Sequence, residues 1–462
     1  MRTLSSYDIF LSENTRPAVG LLRGLTVVLQ TVNIGLFALF FWMPFNVPSY
    51  LLGVSVGLAA VFCLLLPKGE IKASLPCWKP FLPTSALFLM ACLSVLYACD
   101  KAEAIKTCGG QIAFLLIPFV FFGMSPAFFS SRRIRLFAFL FVIGCLFECI
   151  VRTAVLTRCF LTVPELEYYR PTGFWTALNE FLSFQGIYMS FAGMEMPMHT
   201  TVEALFINTA FILVFLARMH GKAPLNTPLR RHMADLSLIL FALSLLTSNS
   251  KTGQALFVLS LISLIVLAFR HRRRFACGVL VTAAVCGCLL LPFIGKGITG
   301  RFSQSLRVMS NVRERTPGIE SDGSALPRLY CWKTAWEMIK ERPLAGWSAD
   351  AHIDFKNNFV AHYPFYRNYY RHPHNQFLFI WMETGIIGLA FFIWFWIKAL
   401  CLASKEKRLF WWLWLLMMFG YCMIDVLFYC GLFYFMGLYG ILSVSSFRKH
   451  HPDLHPDNAL FL

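Results

Sequence analysis

Charged residues are scarce in this chain of 462 residues. They make up 14% of the sequence, whereas 57% of it is apolar and 16% is aromatic. Soluble globular proteins carry about 25% charged residues, and disordered chains combine low hydrophobicity with high charge, so the composition argues against both classes. Acidic residues are the scarcer kind, with 24 Asp and Glu against 41 Lys and Arg. The composition predicts a membrane protein with a net charge of +17.

Several motifs of soluble enzymes are also missing. The chain contains no P-loop, no dinucleotide-binding glycine pattern and no His-Glu-x-x-His. Fifteen cysteines occur, but none forms a Cys-x-x-Cys pair and most lie inside apolar runs. Packing in the core is therefore the better interpretation of the cysteines than a disulfide framework. No cofactor is predicted.

Long apolar runs are present instead, each near the 17–25 residues that a helix needs to cross a bilayer of about 30 Å. The seventh run is short, and the last two nearly touch. The pattern predicts an all-α, polytopic membrane protein with about 12 transmembrane helices. The runs lie near residues 24–43, 49–66, 81–98, 108–124, 134–157, 199–217, 234–248, 254–269, 275–294, 374–398, 409–425 and 427–446.

The basic residues predict the orientation of these spans, because cytoplasmic loops carry an excess of Lys and Arg. With the N-terminus in the cytoplasm, every inner connection is basic, including the run Arg270-His271-Arg272-Arg273-Arg274. The C-terminus is then cytoplasmic as well. These cations flank spans and form no single patch with aromatic residues, so no nucleic-acid partner is predicted. Membrane lipids are the expected surroundings.

Three regions follow from this topology. Residues 1–294 are predicted to form an N-terminal membrane bundle of about nine spans. Residues 295–373 form a long outer loop, and residues 374–462 form about three further spans with a cytoplasmic tail. The loop holds twelve cations against seven acids, which indicates either an anionic ligand or a solvated surface. Within it, Arg328 to Lys340 is predicted to be a helix that lies at the membrane interface.

Two histidines close the outer loop, in the sequence Arg371-His372-Pro373-His374-Asn375. They are candidates for metal ligands, for a general base or for ordinary interfacial residues. No carboxylate or thiol lies close by in the sequence to complete a metal site. A base is therefore favoured, because imidazole titrates near neutral pH and can accept a hydroxyl proton. No metal is predicted.

A polar turn between the seventh and eighth runs reads Thr247-Ser248-Asn249-Ser250-Lys251-Thr252-Gly253. It predicts either a cradle for an oxyanion or a group of helix N-caps, although N-caps do not explain the lysine. Ionisable residues inside the membrane are rare and often functional. Glu148 and Arg152 are interpreted as a buried structural pair. The other intramembrane acids are Glu203, Glu383 and Asp425.

A family resemblance is carried by four segments of the chain. His374-Asn375, then nine residues, then Gly385-Ile386-Ile387-Gly388 resembles the His-[Asn/Ser/Gln]-x9-Gly-x-x-Gly signature of bacterial O-antigen ligases. Arg328 followed by Trp332, the sequence Pro343-Leu344-Ala345-Gly346, and Gly300-Arg301-Phe302 resemble other elements of the wider superfamily, which includes the O-antigen polymerases. The resemblance covers about residues 235–400 most firmly.

The resemblance implies an inverting, metal-independent glycosyltransferase of the bacterial inner membrane, with its active site on the periplasmic face. Its donor is a glycan linked to undecaprenyl diphosphate, and its acceptor is a hydroxyl group of lipid A-core. By motif position, Arg328 and Arg301 would hold the diphosphate, and His374 would deprotonate the acceptor. Lys251 stands where the family usually has arginine, so it keeps the charge but lacks the bidentate fork.

Further residues are expected in the substrate cavity, and two other functions stay open. His372, Asn375 and His199 are the cavity candidates. A polymerase of O-antigen or of another surface polysaccharide would use the same donor with a different acceptor. A transporter or flippase for lipid-linked saccharides would be expected to show internal repeats and cations lining a transmembrane cavity, and the sequence shows no clear repeat.

Overall fold

The structure is a computed structural model, and it describes a large part of the chain. The described residues are 79–112, 131–168, 173–183, 200–220, 227–285, 325–364, 372–406, 408–427 and 438–443, together with isolated positions outside these ranges.

Every regular element in these ranges is helical, which confirms the all-α class. Short 3-10 segments, Lys79–Phe81 and Val95–Tyr97, extend the first helix at both ends. The α-helices are α1 (Leu82–Ser94), α2 (Lys101–Gln111), α3 (Ser131–Thr162), α4 (Phe174–Ser183), α5 (Thr200–His220), α6 (Pro228–Leu246), α7 (Lys251–His271), α8 (Ala325–Glu341), α9 (Ala351–His362), α10 (Gln376–Glu406) and α11 (Leu409–Ile424).

Five helical segments are long and apolar enough to cross a membrane. Each coincides with a predicted span, and α11 is a shorter apolar helix at another. The predicted span at 234–248 is the helix α6. The remaining predicted runs lie wholly or partly outside the described residues, so the total of twelve stays a prediction. The five candidate spans are Lys79–Tyr97, Arg135–Thr162, Thr200–His220, Lys251–His271 and Gln376–Glu406.

The chain divides into two compact units. One contains residues 1–141 and 330–461, and the other contains residues 142–329 with Leu462. In the first unit α10 packs against α1 and α11, and an apolar core joins α8, α9 and α10 around Phe355 and Phe379.

In the second unit, α5 packs against α6 and α7. The helix is buried on nearly all its faces, as expected of a helix that is apolar all round. A separate apolar cluster joins the end of α3 to α4 around Phe181. The predicted division into a membrane bundle, a loop and C-terminal spans refers to position relative to the membrane, and it stays a prediction.

Helix α8 confirms the helix predicted over Arg328 to Lys340. It turns Cys331 and Ala335 toward the core, whereas Trp336 is 47% exposed. The close approach of α8 to α9 and α10 explains this choice, because small side chains fit such a contact better than indole rings do. The predicted position of this helix at the membrane interface stays a prediction.

Candidate active site

The loop before α10 is fixed by Asn375. Its Oδ1 accepts hydrogen bonds from the backbone N–H groups of Phe377 at 3.0 Å and Leu378 at 3.1 Å, which is the geometry of a helix N-cap. Its Nδ2 donates to the carbonyl oxygen of Met423, 3.1 Å away near the end of α11. Asn375 therefore ties the start of α10 to the end of α11. Its place in the substrate cavity stays a prediction.

His374 lies directly before this cap and contacts a carboxylate from a distant part of the sequence. Its Nδ1 lies 3.1 Å from Oδ1 of Asp425, the residue that follows α11. Both side chains are mostly buried, with 15% and 12% of their surfaces exposed. When Asp425 is ionised it accepts the hydrogen bond from Nδ1–H, and this tautomer leaves the lone pair on Nε2. The pair has the arrangement of a general base oriented by a carboxylate.

His372 lies against the same ring. The centroids of the two imidazole rings are 4.3 Å apart, and the backbone N–H of His374 donates to Nδ1 of His372 at 3.4 Å. One ligand atom from each of His372, His374 and Asp425 lies within 4.8 Å of the others. The sequence offered no carboxylate near the two histidines, and the packing of α10 against α11 supplies one.

His374 also has an uncommon backbone conformation and a contact from α8. Its φ is +48°, a left-handed value that few residues other than glycine adopt and that costs about 1–3 kcal/mol. The indole N–H of Trp332 points at the carbonyl oxygen of His374 at 3.5 Å. Contacts from three parts of the first unit hold the ring in place, as expected for a functional side chain.

The two glycine motifs form one backbone contact, which we call the glycine contact, between residues 343–348 and 382–386. The N–H groups of Trp347 and Ser348 donate to the carbonyl oxygens of Met382 and Glu383 at 2.8 and 3.0 Å, and the N–H of Ile386 donates to the carbonyl oxygen of Pro343 at 2.9 Å. These bonds satisfy helix groups that a break in α10 leaves without intrahelical partners.

Glycine is required at both sides of this contact. Gly346 and Gly385 have φ values of +74° and +70°, and Gly385 interrupts the helical conformation of α10. A Cβ added to Gly346 would lie 2.6 Å from the carbonyl oxygen of Glu383, and one on Gly385 would overlap the carbonyl group of Leu344. In the sequence, the two glycine motifs were connected only as parts of the same family pattern. The structure shows that their backbones are hydrogen-bonded to each other.

Side chains from α2 and from the 3-10 segment that follows α1 support the glycine contact. Gln111 donates to both carboxylate oxygens of Glu383 at 3.2 and 3.3 Å, and the Tyr97 hydroxyl donates to the carbonyl oxygen of Ala345 at 2.5 Å. The backbone N–H of Asp100 donates to the buried Asp350 carboxylate at 2.7 Å. The intramembrane acid Glu383 thus lies at the break in α10.

Asp354 lies one turn after Asp350 and is half-buried. Burial raises the pKa of Asp354 above its usual value, and the neighbouring Asp350 carboxylate raises it further. The charge of Asp350 is thus close enough to disfavour ionisation of a second carboxylate on α9.

Lys251 is the first residue of α7. Ser250 is the N-cap, and its Oγ accepts a hydrogen bond from the N–H of Gly253 at 3.0 Å. The N-cap interpretation of this turn is therefore correct for Ser250. A lysine at the first helical position is disfavoured by the helix dipole, so capping does not explain Lys251.

Arg152 binds carbonyl groups just before this turn and at its first residue. Its Nη1 donates to the carbonyl oxygen of Ser244 at 2.5 Å and to the Ser244 hydroxyl at 2.9 Å, and its Nη2 donates to the carbonyl oxygen of Thr247 at 2.8 Å. The amide of Gln254 donates to two more carbonyl groups of the turn, those of Leu246 and Ser248. The backbone leading to Lys251 is consequently well fixed.

The ion pair of Arg152 differs from the predicted one. Its Nε lies 3.2 Å from Oε1 of Glu203 on α5, and both side chains are almost completely buried. The buried carboxylate oxygens of Glu148, the predicted partner, have no hydrogen bond among the described residues, and neither do those of Glu203, so the short ion-pair distance is what distinguishes Glu203. The spacing of one helical turn suggested a pair within α3, but the guanidinium extends toward α5 and α6, where it satisfies backbone carbonyl groups as well as a charge.

The other predicted site residues lie in several places. Arg328 lies in the first turn of α8, one turn before Trp332, and is half-buried. Arg301 and His199 lie outside the described residues. The structure therefore brings together His372, His374 and Asn375, and adds Asp425 to them. Asp425 was recognised in the sequence as an intramembrane acid, but its partner was not.

These features define an all-helical membrane protein with a candidate general base at the start of a broken helix. Residues 236–393 match a family model described as O-antigen ligase, and this segment includes Lys251, Arg328 and His374. The match confirms the family predicted from the sequence, so this segment belongs to the O-antigen ligase family. It supports a function of the O-antigen ligase or polymerase type. No curated protein matches the chain.

Proposed function

We propose that this protein transfers a glycan from undecaprenyl diphosphate to a hydroxyl group of lipid A-core at the periplasmic face of the bacterial inner membrane. The observation that carries the proposal is the contact between His374 and Asp425, in a chain whose segment 236–393 matches the O-antigen ligase family. The family match supports the type of enzyme, and the contact supplies a group suited to the chemistry.

The reaction needs a base, and His374 is suited to this role. Nε2 of His374 takes the proton of the acceptor hydroxyl, whose oxygen attacks the anomeric carbon of the donor sugar. The bond from that carbon to the diphosphate breaks, and the configuration inverts. Asp425 keeps the ring in the required tautomer and stabilises the imidazolium that forms. Proton transfer of this kind is worth about 10²- to 10⁴-fold in rate.

The leaving group needs positive charge. Departure of undecaprenyl diphosphate builds negative charge at the phosphate oxygens, and fixed cations stabilise it. Arg328, Arg301 and Lys251 are the candidates by motif position. The location of Lys251 at the start of α7 supports its part in this role, because the helix N-terminus adds to the positive potential there. No metal ion is needed for either step.

Lipopolysaccharide from a strain that lacks the gene tests the proposal. A gel that shows lipid A-core without any polymer supports a ligase, since the polymer is made but not attached. A ladder reduced to core plus one repeat identifies a polymerase, the second candidate within the same family. Unchanged polymer on unchanged core contradicts both functions.

A further inference from the structure

The two histidines and the aspartate of the candidate active site also have the composition of a metal site. His372, His374 and Asp425 each offer a ligand atom, and these atoms lie within 4.8 Å of one another. In a tetrahedral zinc site with bonds of about 2.0 Å, neighbouring ligand atoms lie about 3.3 Å apart. The three atoms therefore lie close to the spacing that a single bound ion requires.

The cluster is held in a way that favours a site open on one side. Asp425 is placed by the end of α11, and both histidines precede α10, whose start is tied to α11 through Asn375. The two rings are 4.3 Å apart and inclined at 57°, so they do not stack face to face. Two imidazoles and one carboxylate suit zinc, cobalt and nickel, and three protein ligands leave a position for water.

We propose that His372, His374 and Asp425 bind a divalent transition-metal ion such as Zn²⁺, and that the bound ion blocks glycan transfer. The blocking part of this proposal rests on the proposed function, whereas the binding part rests only on the geometry.

The chemistry of imidazole explains the block. A neutral ring has one lone pair on nitrogen, and its other nitrogen carries a proton. An ion bound at either nitrogen of His374 uses that lone pair, so the ring has none left with which to accept the proton of the acceptor hydroxyl. The ion is thus an inhibitor that competes with the reaction and not a participant in it, which is consistent with metal-independent catalysis.

Cobalt provides a direct measurement of the site. Co²⁺ added to the purified full-length protein in detergent is expected to give visible absorption bands of a bound, low-symmetry ion, and Zn²⁺ is expected to displace it. We expect His372→Ala and Asp425→Asn to weaken Co²⁺ binding by about 10- to 100-fold or more, since a lost ligand costs at least as much as a lost outer hydrogen bond to a ligand.

His362→Ala is the matched control, because His362 is exposed and its Nδ1 contacts the carbonyl oxygen of Asn358 within α9. It is expected to bind Co²⁺ like the unchanged protein. His372→Gln is a second variant for the case that His372→Ala does not fold, as judged by thermal unfolding without metal. Absence of the bands, or equal affinity in the cluster variants and the control, would overturn the site.

The activity measurement separates the two parts. Zn²⁺ is expected to stop transfer, and a chelator is expected to restore it. If Co²⁺ binds at the cluster while Zn²⁺ leaves transfer unchanged, the inhibitory role and the base role of His374 are both wrong. If the protein transfers no glycan under any condition, the proposed function fails, and the cobalt spectrum still decides whether the metal site exists.

Discussion

At the scale of single residues, His374 depends on its neighbours for the properties of a base. Asp425 contacts the ring, Trp332 contacts the carbonyl oxygen, and His372 accepts a hydrogen bond from the backbone N–H. The left-handed φ of +48° is a local strain, and strain of this kind persists where the surrounding contacts enforce it. The ring therefore has little freedom to leave its orientation.

Replacement of the carboxylate tests whether Asp425 orients the base. Asp425→Asn keeps the size of the side chain but removes the charge that stabilises the imidazolium, so we expect transfer to fall by roughly 100-fold or more. The measurement is the rate of glycan transfer in membranes that contain equal amounts of protein. Asp235→Asn, in a partly exposed pair with Arg218, is the control, and an equal rate in the two variants would refute the role.

Arg328 tests the need for a bidentate contact with phosphate. Arg328→Ala is expected to lower transfer strongly, and Arg328→Lys substantially, because an ammonium group cannot reproduce two parallel N–H···O bonds. Lys340→Ala, at an exposed position of the same helix, should keep normal activity. A rate in Arg328→Lys close to that of the unchanged protein would show that Arg328 is only a surface charge.

At the scale of helices, the glycine contact explains why the glycine motifs have their spacing. Because α10 is broken at Gly385, the carbonyl groups of Met382 and Glu383 accept hydrogen bonds from the turn at 343–348 instead. Gly346 has no side chain, so this turn can approach the backbone of α10 closely. The first part of α10 is thus held at both ends, by Asn375 at its start and by this contact at its end. His374 therefore directly precedes a short helical segment that is fixed at both ends.

Gly385→Ala is expected to destabilise the protein. A left-handed φ costs a non-glycine residue about 1–3 kcal/mol, and the overlap of the new Cβ with the carbonyl group of Leu344 adds to this cost. Thermal unfolding of the purified protein measures the effect. Gly110→Ala in α2, where no atom lies within 4 Å of the added Cβ, is the control and is expected to be neutral or stabilising. Equal unfolding temperatures would contradict the glycine contact.

Arg152 gives a second prediction at this scale. Arg152→Met leaves Glu203 as a buried charge without its ion-pair partner, which costs about 3–5 kcal/mol. The double variant Arg152→Met with Glu203→Leu is expected to recover the part of the loss that is due to the unpaired charge, but not the part due to the lost hydrogen bonds to Ser244 and Thr247. Thermal unfolding of the double variant and of both single variants measures this. If the loss of stability in the double variant equals the sum of the losses in Arg152→Met and Glu203→Leu, the two side chains do not interact.

The sequence predicted elements better than partners. The apolar runs predicted the five candidate spans, and the helix predicted over Arg328 to Lys340 is α8. The partner of His374 could not be predicted, because 51 residues separate it from Asp425 and only the packing of α10 on α11 joins them. For Arg152 the helical spacing suggested Glu148, since periodicity identifies neighbours within a helix but not those across a helix–helix contact.

At the scale of the whole molecule, the net charge of +17 has two predicted parts. The first comprises cations beside the spans, which orient the protein in the membrane. The second lies in the outer loop, where twelve cations stand against seven acids, and we propose that Arg328 and Arg301 in this loop hold the diphosphate. The loop ends directly before His374, so in the sequence the candidate base follows the segment that carries the excess of cations.

The central claim is that His374 is the base for glycan transfer to lipid A-core. The most direct measurement is the lipopolysaccharide profile of a deletion strain that produces His374→Ala, with the amount of protein in the membrane checked by immunoblot and His362→Ala produced in parallel. We predict normal amounts of both variants, polymer attached to core with His362→Ala, and core without polymer with His374→Ala. Polymer attached to core at the normal level with His374→Ala would contradict the claim.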